Sequence, residues 1–116
     1  MSPSQLTLNL LEGSVSFSFS PQAALELQQA IAQLMQSLKA ASAKATPGGK
    51  AGSQKPLEYR YTGEVFLEIF CNPNIWPSPF AAKVLITVRD ASIRLTTEAE
   101  LTRVIEDLNQ YLDSVD

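Results

Sequence analysis

Cys71 is the one cysteine in 116 residues and the strongest potential nucleophile in the chain. A thiol attacks only as thiolate, which requires a nearby cation or a helix N-terminus to lower its pKa. Phe70 and Asn72 flank Cys71, and it closes the apolar run EVFLEIFC. That setting predicts a buried structural thiol. Histidine is absent, which removes His-based triads, imidazole metal sites and the commonest general base. One cysteine supplies neither an intramolecular disulfide nor a thiolate zinc site. No metal and no cofactor is expected.

Carboxylates are the remaining acid–base candidates. Glu64 and Glu68 bracket an apolar stretch, and Glu106-Asp107 sit in an amphipathic one. Their spacing places no pair across a cleft, as glycoside hydrolysis needs. Glu68 falls on a face shared with Phe66 and Phe70, so it needs a partner or a raised pKa. Arg89 or Arg94 on a neighbouring strand is the expected partner. Tyr59 and Tyr61 together with Glu68 are candidate ligand-binding residues if a pocket opens between sheet and helices. Tyr59-Arg60-Tyr61 also resembles the aromatic-basic patches of RNA-binding sheets, but the net charge of −3 opposes nucleic acid as a partner. Gly48-Gly49-Lys50 lacks the Ser or Thr, the first Gly and the preceding strand of a phosphate loop, since Ala51 follows and Lys44 stands where the Gly belongs. An enzyme is not expected.

The segment CNPNIWPSPFAAK, residues 71–83, carries a different kind of chemistry. Its three prolines and two asparagines argue against helix and strand, yet it holds Ile75, Trp76 and Phe80. Large aromatics fold back as a lid over a core or stand out as a knob for a partner. Prolines would lower the ordering cost of the second arrangement. Ile75, Trp76, Pro77 and Phe80 are therefore the candidate partner-binding residues.

The elements that position these residues read clearly. Leu6, Leu8 and Leu10, then Val15, Phe17 and Phe19, alternate with polar residues on either side of Glu12-Gly13, which predicts a hairpin with a hydroxyl-rich outer face. Ser20-Pro21 is a helix start. Leu27, Ala30, Ile31, Leu34 and Leu38 then form an apolar stripe. Residues 43–56, AKATPGGKAGSQKP, read as a flexible linker or loop. Strand periodicity returns at Leu57, Tyr59 and Tyr61. After Thr62-Gly63 comes EVFLEIF, apolar on both faces and so expected to be a central strand. Val84, Ile86 and Val88 make the next strand. Ile93 and Leu95 continue the alternation beyond a turn at Asp90-Ala91. Thr97 and Glu100 have capping-box spacing, and Leu101, Val104, Ile105, Leu108 and Leu112 form a second stripe. The two strand–strand–helix stretches share their helical spacing, as a duplicated unit would.

The segment Ile75–Leu112, with its IWPSPF loop running into two strands and a helix, resembles small accessory proteins of cyanobacteria. The resemblance implies an assembly chaperone for a large complex, of the carboxysome shell type. No binding residue follows from it, because no family motif is shared.

The expectation is thus a single α+β domain over 1–116, in β-β-α-loop-β-β-β-α order. An antiparallel sheet of about five strands would have both helices packed on one face. No run is long and apolar enough for a membrane span, and the N-terminal MSPSQLTLNL lacks the order of a signal peptide, so a cytoplasmic setting is expected. The expected function is a non-enzymatic protein-interaction module, an adaptor or assembly factor. Its partner would be another protein, or a second copy through an open sheet face carrying Ser14, Ser16 and Ser18. The alternative is a small-molecule-binding regulatory module.

Overall fold

The computed structural model describes residues 5–43 and 54–115. Most of the expected linker, 43–56, lies outside the described residues. β1 (Gln5–Asn9) and β2 (Ser14–Ser18) pair antiparallel, with Leu6 opposite Phe17 and Leu8 opposite Val15. The turn needs glycine: Gly13 sits at φ 80, in the left-handed region, and its carbonyl accepts from Leu10 N–H at 2.9 Å. One face of the hairpin buries Leu6, Leu8 and Phe17; on the other, the Thr7 and Ser16 hydroxyls meet at 2.7 Å.

α1 (Pro21–Ala43) begins where the Ser-Pro signal places it. Ser20 Oγ accepts the Ala23 N–H at 3.1 Å, satisfying one of the first-turn donors. Its stripe is buried at Leu27, Ile31, Leu34 and Leu38.

β3 (Leu57–Thr62), β4 (Phe66–Cys71), β5 (Lys83–Arg89) and β6 (Arg94–Glu100) form an antiparallel sheet in that order. The EVFLEIF strand is interior, as its two apolar faces require. Leu57, Tyr59, Leu67, Ile69, Val84 and Ile86 point into one core with the stripes of α1 and α2 (Leu101–Ser114). The opposite face of this sheet is open.

The class is α+β with two helices, but the strands number six among the described residues and divide into two sheets. The N-terminal hairpin does not extend the four-stranded sheet. Its turn touches the β6 edge, where Leu11 N–H donates to Glu98 O at 3.2 Å, while β1 lies against α2. Ser14, Ser16 and Ser18 therefore belong to the hairpin and not to the open face of the larger sheet.

Two local expectations are corrected. Thr97 and Glu100 form no capping box. β6 pairs with β5 as far as Lys83 opposite Glu100, so the ladder holds both residues extended. Glu100 is the N-cap with no side-chain bond, and Leu101 N–H is satisfied by Ala82 O at 3.0 Å instead. Ile93 is in the turn and exposed, not in the strand. Asp90 fixes that turn by accepting from Ser92 N–H at 2.7 Å and Ile93 N–H at 2.9 Å. Those two backbone bonds hold its carboxyl below the ordinary value.

Candidate functional site

Register sorts the open face of the four-stranded sheet into cross-strand rows. At one end Glu58, Phe70, Leu85 and Glu98 stand side by side from β3 to β6. The middle row is Arg60, Glu68, Thr87 and Thr96. At the far end are Thr62, Phe66, Arg89 and Arg94. The face thus carries Glu58 and Glu98 at one end, with Lys83 opposite Glu100 just beyond them, and Arg89 and Arg94 at the other, with apolar bulk on its two central strands. Phe70 is 37% exposed and Leu85 43%, so the central pair is open to solvent where a sheet face usually carries polar side chains.

Two contacts order the charges of this face. Arg60 Nε donates to Glu68 Oε2 at 2.9 Å. The Arg89 guanidinium lies 4.4 Å from the centre of the Phe66 ring, a cation–π contact. The expected partners of Glu68, Arg89 and Arg94, are not the ones it uses. Arg60 is directly opposite it on β3, whereas its β5 neighbour is Thr87. Among the described residues, Arg94 and Glu98 take part in no ion pair.

The 71–83 segment borders the end that carries Glu58 and Glu98. Each of its two short 3₁₀ turns, Pro73–Ile75 and Pro79–Ala81, starts with a proline whose φ is preset for it. The expectation of a segment without helix is corrected to that extent. Asn72 Oδ1 accepts from Asn74 N–H at 3.0 Å and from Asn74 Nδ2 at 2.9 Å. Asn74 in turn clasps the backbone of Gln54, accepting from its N–H and donating to its carbonyl, both at 2.9 Å.

The aromatic residues of the loop divide between the two arrangements the sequence leaves open. Trp76 is half-buried against the core, and its Nε1–H is buried facing the Cys71 thiol without a hydrogen bond of good geometry. Ile75 is 65% exposed, Pro77 is exposed, and Phe80 is 80% exposed. Ile75 and Trp76 join Phe70 and Leu85 around a shallow groove of about 180 Å³, edged by Lys83 and Glu98. Leu85 and Glu98 also line a neighbouring groove with Leu11 from the hairpin turn.

The residues considered for a ligand pocket are not brought together. Tyr59 and Tyr61 face the helices, and Glu68 faces the open side. Tyr59 is buried and donates to Ala23 O at 3.2 Å. Burial first, with the charges of Glu26 and Tyr61 adding to it, pushes its phenol up to about 12. Tyr61 packs edge-on against Phe19, ring centres 4.7 Å apart. Cys71 is buried, and burial pushes its thiol up to about 11 against a small opposing effect of the Trp76 N–H. A thiol so placed is a poor nucleophile at neutral pH. Among the described residues no three acidic or cysteine side chains gather as metal ligands, and no helix is long and apolar enough to cross a membrane.

The sequence points to Ile75 and Phe80 but not to Phe70, Leu85, Arg94 and Glu98. The signal for Phe70 was the double-sided apolarity of β4, and for Leu85 its place between Val84 and Ile86 on β5. The charged pair becomes visible only once the cross-strand register is known. No family model matches the chain, and neither a curated protein nor a solved structure is similar enough to it to show a shared family or fold.

Proposed function

We propose that this chain is a non-catalytic protein-interaction module. It works through the open face of its four-stranded sheet and the Ile75–Phe80 side of the adjoining loop. The observation that supports this is the Phe70–Leu85 pair. Two large apolar side chains stand exposed side by side on interior strands, continuous with exposed Ile75 and half-buried Trp76. Exposed apolar side chains occur singly on any surface, whereas a contiguous patch rimmed by charge is a feature of interaction sites. The surrounding chemistry supports no competing catalytic reading: the thiol is buried and protonated, and Glu68 is engaged by Arg60. An adaptor or assembly factor is the role that fits such a surface.

The test is substitution on the open side, where side chains can change without opening the core. Leu85→Glu and Phe80→Ala are expected to leave the melting temperature within a few degrees of the parent, on the order of 3 °C. Leu85→Glu is expected to abolish capture of the binding protein by immobilised chain. Undiminished capture by a folded Leu85→Glu protein would remove the open face from the proposal.

A further inference from the structure

We draw no further inference here: the strongest candidate, the open face of the four-stranded sheet around Phe70 and Leu85, carries nothing further because nothing in the structure shows what covers it.

Discussion

Asp107, on α2, holds Asn9, on β1, by two hydrogen bonds across 98 residues of chain. Its Oδ2 accepts the Asn9 backbone N–H at 2.7 Å and its Oδ1 accepts Asn9 Nδ2 at 2.9 Å. Asp107 is buried, and Arg103 Nε, one turn earlier, lies 3.7 Å from the same Oδ1. This carboxylate ends the ladder of β1 and fastens the small hairpin to the helix.

Asp107→Ala removes the acceptor of two donors and leaves the Asn9 N–H without a partner in a partly buried place. A loss of about 2–4 kcal/mol is expected in urea unfolding. Asn9→Ala keeps the backbone bond and is expected to cost about 1 kcal/mol. The two losses should not add when combined, because they share an interaction. A fully additive double variant would show that the pair is not coupled.

Tyr59 and Cys71 make stability fall on the alkaline side. Both are neutral when buried, and both have folded pKa values above their ordinary ones: about 12 against 10.0 for Tyr59, about 11 against 9.0 for Cys71. An acid raised in this way contributes stability that is complete below its ordinary value and is lost as pH rises through the folded one. Unfolding free energy should therefore decline from near pH 9, by about 2–3 kcal/mol for each group once both are ionised. Tyr59→Phe should flatten the portion between about pH 10 and 12. In the folded parent, Cys71 should resist an aromatic disulfide reagent at neutral pH and react on addition of denaturant.

The two aromatics of the 71–83 loop should separate cleanly. Trp76→Ala empties volume packed against the core and is expected to cost about 2–3 kcal/mol. Phe80→Ala, at a side chain 80% exposed, is expected to change stability by less than about 0.5 kcal/mol. Equal losses in thermal unfolding would mean that Phe80 also belongs to the core.

Gly63 lies under the Tyr61 ring, so that a Cβ there would overlap the phenol and its ring carbons. Gly63→Ala is expected to push Tyr61 off Phe19 at a cost of about 1–2 kcal/mol. The near-ultraviolet circular dichroism of the aromatic cluster should change along with it. A variant as stable as the parent, with an unaltered spectrum, would show that the turn absorbs the methyl group.

Much of the fold was legible because it is written locally. Ser20-Pro21 starts α1 by the expected bond, and the helical stripes are buried at Leu27, Ile31, Leu34, Leu38, Leu101, Val104 and Leu108, with Ala30, Ile105 and Leu112 partly buried. The apolar faces of β4 placed it inside a sheet. Thr97-x-x-Glu100 misled because a local cap competes with a ladder, and pairing with β5 through Lys83 won. The separation of the hairpin from the larger sheet was not legible, since it depends on Asn9 finding Asp107 and on Leu11 reaching Glu98. Of the candidate site, Ile75 and Phe80 stood out as apolar residues in a proline-rich loop. Arg94 and Glu98 did not, because each is an ordinary surface charge until the rows align it. Tyr111, which the expected stripe of α2 does not include, is buried, and its hydroxyl donates to Phe19 O at 2.9 Å.

The clasp between Asn9 and Asp107 sets an order of events during synthesis. β1 leaves the ribosome long before the helix that shelters it exists, and its greasy side, Leu6 and Leu8, must wait almost a full chain length for cover. Until then the nascent hairpin is the segment most open to chaperone capture and to mispairing.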